Sequence, residues 1–216
     1  MHISNAQRAS GSKENRELLK TIKHIHEKSH RIYGSPRITK SLPPEQKASR
    51  GRVARLMQKN GIRSKVAKKY KATTNSKHDL PVAENIINQQ FEASKPNEKW
   101  LTDITYVATD EGWLYLAGVM DLYGRPIVGW AMGSHMKTEL VSSALKQAIG
   151  RTGASKGCIV HSDHGVQYAS KDYQELIQKH QFVCSMSRKG NCYDNSPMES
   201  FWGKLKTEWL SDYKFK

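Results

Sequence analysis

Three acidic residues stand where acid is costly. Asp103 interrupts the strand-like run "WLTDITYV" (100–107), Asp163 closes the apolar start of "IVHSDHGVQYAS" (159–170), and Glu199 ends "SPME" (196–199), the opening of a helix-like segment. Asp is depleted in strands, and a buried charge is expensive unless paired or metal-bound. Were the strands of Asp103 and Asp163 neighbours, their carboxylates would face one another across the ladder. Adjacent carboxylates repel unless one is protonated or a cation lies between them, and a divalent ion meets that need economically.

Each acid also has a bland reading. Asp103 could accept hydrogen bonds from Thr102 or Thr105, and Asp163 could be the turn residue before Gly165. Glu199 could close a capping box with Ser196. The 35 residues between Asp163 and Glu199 are weak evidence as a bare spacing. The combination of two acids on core strands, a third at a helix start and a basic segment upstream is stronger.

The elements that must position these acids follow from patterning. "WLTDITYVAT" (100–109), "GWLYLAGVMDLY" (112–123) and "PIVGWAMGS" (126–134) are β-branched and aromatic runs with short turns between them, which predicts three antiparallel strands. "TELVSSALKQAIG" (138–150) is helical, with Gly150 as its stop. A fourth strand leads into Asp163. A helix capped by Ser170 (170–181) precedes a fifth strand, "FVCSMS" (182–187). The last helix (196–210) is expected to have Ser196 as N-cap and Pro197 at its first position. The order β-β-β-α-β-α-β-α predicts an α/β fold, a mixed five-stranded sheet with flanking helices.

Upstream the chain reads differently. Residues 1–12 lack periodicity and are expected to fray, and "ENRELLKTIKHIHEKSH" (14–30) has one apolar helical face. A short helix around Pro36–Ser41 lies in a Pro-rich break. "ASRGRVARLMQKNGI" (48–62) predicts a helix capped by Ser49 and stopped at Asn60-Gly61. Its Val53, Leu56 and Met57 form a seam, while Arg50, Arg52, Arg55 and Lys59 project elsewhere, as in a helix that reads DNA or in a merely solvated basic face. Residues 63–79 read as a linker or arm, with a weak helical patch at Val82–Phe91.

Charge separates the halves. Of a net +15, residues 1–99 hold 22 Lys+Arg against 8 Asp+Glu, or +14, and residues 100–216 hold +1. A field so placed favours a polyanion such as nucleic acid. The longest apolar run, "WLYLAGVM" (113–120), is too short to span a bilayer, and no apolar signal segment follows Met1. Three cysteines without CxxC spacing suggest neither a zinc knuckle nor a disulfide framework and fit a reducing cytosol.

"WLTDITYV", "LAGVMDLYGRPIVGWAM", "IVHSDHGVQYAS", "SMSRKGNCYDNSPMESFWGKLKTE" and "RIYGSPRITKSL" together closely resemble the OrfB-type transposases of bacterial insertion sequences, from about Arg31 to the end of the chain. The resemblance implies an RNase H-like core of the retroviral-integrase superfamily with Asp103, Asp163 and Glu199 as catalytic, metal-binding acids. It implies Mg²⁺ (or Mn²⁺), two ions, and cleavage at transposon ends followed by 3′-hydroxyl strand transfer into target DNA. Lys206 matches the family's basic residue two turns beyond Glu199, placed to grip donor-end phosphate. Arg37, Arg50, Arg52, Arg55 and Lys59 are the expected DNA contacts.

The implied division is an N-terminal helical extension (1–30), a helix-turn-helix-like DNA-binding module (31–77), a linker (78–98) and an integrase catalytic core (99–216). The family's core continues past the glutamate helix, so a C-terminally truncated core is expected. The implied partners are DNA, further copies of the chain on DNA, and a transposition protein from an upstream frame; the expected place is the cytoplasm, at the nucleoid. His161 and His164 are expected to support the site rather than ligate, since oxygen ligands suit magnesium better. Asp121 is read as a turn acid, "KGNCYDNS" as a mobile loop that orders on DNA, and Trp202 and Trp209 as packing residues. Two rivals share the motif: a plain RNase H-like nuclease, and a DNA-binding, dimerising remnant that does not cleave.

Overall fold

The computed structural model describes residues 5–65, 80–154, 156–210, 213 and 215. Two compact units emerge, Met1–Lys69 with Leu205–Ser211, and Tyr70–Lys204 with Asp212–Lys216.

In the first unit, α1 (Asn5–Lys28), α2 (Ser35–Lys40) and α3 (Arg50–Lys59) bury one apolar seam. Leu18 and Ile22 of α1 meet Ile38 of α2 and Val53 and Met57 of α3. A spacing of four residues puts Leu18 with Ile22, and Val53 with Met57, on one helical face. The Ser49 hydroxyl accepts the Arg52 N–H and caps α3, which ends before Asn60 as expected. The first helix starts earlier than its apolar pattern, at Asn5. Of the linker or arm expected at 63–79, residues 66–79 lie outside the described residues.

The second unit is built on β1 (Lys99–Thr109), β2 (Gly112–Asp121), β3 (Ile127–Gly133), β4 (Ile159–Ser162) and β5 (Val183–Met186), in the order β3-β2-β1-β4-β5. The first three form an antiparallel meander, and β4 and β5 add in parallel through helical crossovers. Helix α4 (Thr138–Thr152) lies so close on β3 that a Cβ at Gly129 would stand 2.3 Å from the Ala144 carbonyl oxygen. The core joins Trp100, Ile104, Val119, Leu145, Tyr168 and Ile177, among others.

Several local expectations change. Helix α4 runs through Gly150, and Gly153, left-handed at φ 62°, ends it. A one-turn helix, α5 (Val166–Ala169), precedes α6 (Lys171–Lys179), and the Ser170 hydroxyl donates to the Gln167 carbonyl instead of capping. Val82–Phe91 is not helical, because Asn88 and Gln89 take positive φ. That segment instead runs beside β5, with the Met186 N–H donating to the Glu84 carbonyl at 3.3 Å. Among the described residues no helix is long and apolar enough to cross a membrane.

Candidate active site

Strands β1 and β4 pair in parallel with Lys99 beside Ile159, Trp100 beside Val160 and Leu101 beside His161. Two residues further on come Asp103, inside β1 and opposite Gly118 of β2, and Asp163, one residue past the end of β4, at the same level. Asp103 is half-buried. Its Oδ1 accepts the Ile104 N–H at 2.9 Å, and its Oδ2 accepts the Trp202 indole N–H at 3.1 Å. Asp163 is half-buried as well and accepts the Gly165 N–H at 2.8 Å. The turn reading of Asp163 is thus correct as far as it goes, and the turn aims the carboxylate from the strand end.

Glu199 lies in the first turn of α7 (Ser196–Glu208). Ser196 has αR angles, φ −55° and ψ −32°, and continues a 3-10 turn over Cys192–Asn195. An N-cap needs extended angles, so Ser196 is not one and the capping-box reading of Glu199 falls. Glu199 as a residue is exposed, yet neighbouring atoms withhold enough water from its carboxyl to raise its pKa.

Electrostatics ties the three together. Burial, then the charge of Asp163 and, more weakly, that of Glu199 push the Asp103 carboxyl well above the usual carboxylate range. Burial and the charges of Asp163 and Asp103 likewise raise the Tyr168 phenol, which stays neutral, 3.3 Å from the Thr102 hydroxyl. Among the described residues no three His, Cys, Asp or Glu side chains already form a set that could hold a metal ion. Asp103 within β1 and Asp163 just past the end of β4 stand at one level on neighbouring strands; the charge of Glu199 also acts on Asp103.

The neighbours have defined work. The Ser185 hydroxyl accepts the Ile86 N–H and so gives its proton to His161 Nδ1 at 2.8 Å, leaving Nε2–H to donate to the Asp194 carbonyl at 3.1 Å. Burial holds the His161 pKa down to about 4, so this ring is neutral and structural. Asp121 accepts the Asn97 and Tyr123 N–H groups, one on each oxygen, as a turn acid does. The expected mobile loop is pinned, because Asp194 is fully buried and gathers N–H donors from Asn85, Gln89 and Arg188.

The expected DNA contacts divide. Arg50, Arg55 and Lys59 are exposed on α3. Arg52 is tied to Glu14 at 3.2 Å and Asn15 at 2.9 Å, and Arg37 to Glu208 at 2.7 Å. Lys206 is buried, 7 % exposed. Trp202 packs as expected, whereas Trp209 is 71 % exposed and does not. Sequence reasoning missed the bond from Trp202 to Asp103 and the hub at Asp194. Gly118 inside an otherwise apolar strand was the available signal, since such a glycine marks a close approach.

A meander extended by two parallel strands, with one acid inside the central strand, a second just past its parallel neighbour and a third at a helix start, defines the integrase-core class. Residues 93–192 match the family described as Integrase core domain, and residues 13–70 the HTH-like domain. The chain is 48 % identical over 208 residues to the Insertion element IS600 uncharacterized 31 kDa protein of Shigella sonnei, covering 95 % of this chain and 76 % of that protein. It is 43 % identical over 189 residues to Transposase InsF for insertion sequence IS3A of Escherichia coli (strain K12), covering 87 % of this chain and 66 % of that one. It thus spans slightly less than two thirds of the InsF transposase. A chain in the simian T-cell lymphotropic virus intasome in complex with PP2A regulatory subunit B56 gamma shares the fold at TM-score 0.52 and 18 % identity, covering 88 % of this chain and 62 % of that one. This chain belongs to the integrase-core transposases of bacterial insertion elements, joined to an HTH-like domain.

Proposed function

We propose that this chain is a DDE-type transposase that cuts DNA at the ends of its element and joins the freed 3′-hydroxyl to target DNA. The observation that carries the reading is the level placement of Asp103 and Asp163 on paired strands, with the charge of Glu199 acting on Asp103.

The donor chemistry fits a hard cation: three carboxylates, all oxygen, whose mutual repulsion is relieved by positive charge. In this reading Asp103, Asp163 and Glu199 hold Mg²⁺ or Mn²⁺, as two ions, which supply charge stabilisation at the attacking and leaving oxygens. The chain's own part is orientation. Ile104 N–H and the Trp202 indole fix the two oxygens of Asp103, Gly165 N–H fixes Asp163, and α7 presents Glu199 from its first turn. Residues 31–77 serve as the DNA-binding module, in which Arg50, Arg55 and Lys59 meet phosphate. Arg37 and Arg52 reach DNA only by giving up their carboxylate partners. Lys206 takes donor-end phosphate once DNA uncovers it. Handling two ends calls for more than one copy on DNA, and a protein from an upstream frame completes end recognition at the nucleoid.

A DNA-binding protein that does not cleave is the rival, favoured by the exposure of Glu199. The test is Asp163→Asn on duplexes carrying the sequences that flank the chain's own reading frame. Cleavage and joining of a labelled end should fall by about 10³-fold or more with DNA affinity unchanged. Cleavage at the parental rate sinks the assignment, and no cleavage by the parent under Mg²⁺ or Mn²⁺ favours the rival.

A further inference from the structure

Strand β2 places Gly118 directly across from Asp103. A Cβ there would stand 2.8 and 2.9 Å from Cη2 and Cζ2 of Trp202 and 3.3 Å from Cε of Met198. The missing side chain is therefore a notch in the sheet, and the Trp202 ring fills it, 6 % exposed. From that seat the indole N–H reaches Oδ2 of Asp103 at 3.1 Å. Trp202 sits on α7 three residues after Glu199, so the two belong to adjacent turns of one face. One ring thus holds a carboxylate on the sheet and seats the helix that carries another.

We propose that Trp202 is a positioning residue of the metal-binding acids, a latch whose seat in the Gly118 notch sets the approach of Glu199 and whose N–H fixes the rotamer of Asp103. The proposal rests on the assignment of Asp103, Asp163 and Glu199 above. Loss of a hydrogen-bond partner that orients a metal-ligating group typically costs about 10- to 100-fold in metal affinity. An indole is suited to the task, because its rigid ring resists rotation while its single N–H can only donate.

The test uses the full chain and Mn²⁺ alone, with binding read by electron paramagnetic resonance. Trp202→Phe keeps a ring in the notch and removes the N–H. Gly118→Ala keeps the N–H and forces the ring outward. Both should weaken Mn²⁺ binding by roughly tenfold or more. Trp202→Phe should also lower kcat for end cleavage while KM for DNA stays put, at a temperature where both proteins are folded. A lower melting temperature with parental Mn²⁺ affinity and kcat in Trp202→Phe would mean packing alone and overturn the proposal. Should that variant not fold, parental Mn²⁺ affinity in Gly118→Ala overturns it equally. If instead Asp163→Asn binds Mn²⁺ as the parent does, the underlying site assignment fails, a result distinct from either.

Discussion

Asp194 grips Arg188 by two parallel contacts, Nε to Oδ2 at 2.9 Å and Nη2 to Oδ1 at 2.7 Å. The same carboxylate accepts the Arg188 backbone N–H at 2.8 Å, Asn85 Nδ2 at 2.9 Å and Gln89 Nε2 at 2.8 Å. Its backbone carbonyl takes His161, two residues before Asp163, and its chain enters α7 two residues later. One buried acid thus fastens the segment beside β5, the strand of Asp163 and the helix of Glu199.

Replacing Asp194 by Ala strands several half-buried donors and should cost about 3 kcal/mol in urea unfolding at pH 7. Arg188 above all holds the Asp194 carboxyl well below the usual range. A depressed acid stabilises the fold above its unfolded value of 3.8, and that contribution is lost as pH falls through the folded value. The variant should therefore lose less stability than the parent on acidification below pH 4, roughly the ordinary Asp value. A cost below about 1 kcal/mol would show that Asp194 does not fasten these three elements.

Two groups near the acids pull pH dependence in opposite directions. His161 has a folded pKa of about 4 against an ordinary 6.5. The unfolded chain takes that proton first, so stability falls as pH drops from 6.5 towards 4, by an amount on the order of 3 kcal/mol. Asp103, raised by burial and by its acidic neighbours, does the reverse: its folded form holds a proton that the unfolded form releases above 3.8. Stability then declines as pH rises through that window. Without added metal, Asp103→Asn should raise the melting temperature at pH 7 and lose that gain near pH 4, whereas His161→Asn should flatten the fall between pH 6.5 and 4. Calorimetric scans at both pH values decide each sign.

The basic face of α3 should separate into binders and braces. Arg50 and Lys59 are exposed, whereas the Arg52 guanidinium is occupied by Glu14 and Asn15. Arg50→Ala and Lys59→Ala should each weaken DNA binding and lower the slope of log K against log salt by about 1, with little change in stability. Arg52→Ala should act chiefly on stability. Equal salt slopes in all three variants and the parent would place the phosphate contacts elsewhere.

How much was legible depended on the range of the interaction. Strands β1 to β5 follow from β-branched and aromatic runs, whereas the pairing of β1 with β4 was open in the sequence, where it was only the condition under which Asp103 and Asp163 would face one another. Gly150 and Gly153 are equally good helix stops locally, and packing of α4 on β3 carried the helix to the second. Val82, Ile86 and Ile87 mimic a helical face, but that segment spends its backbone on β5 and bends at Asn88 and Gln89. The "SPME" pattern is a true capping signature that a preceding 3-10 turn pre-empts. For the acids, type and setting were readable in one dimension. The Gly118 notch and its indole were not, because they join residues far apart in the chain.

The central place of β1 has a consequence for how the molecule comes into being. Its antiparallel partner arrives from the ribosome at once, but its parallel partner begins only at Ile159, after a hairpin, a strand and a helix have emerged. A nascent chain therefore holds Asp103 unmatched until translation is well advanced, and the helix of Glu199 is made later still. The three acids can therefore gather only after α7 has emerged, well after the meander that carries Asp103.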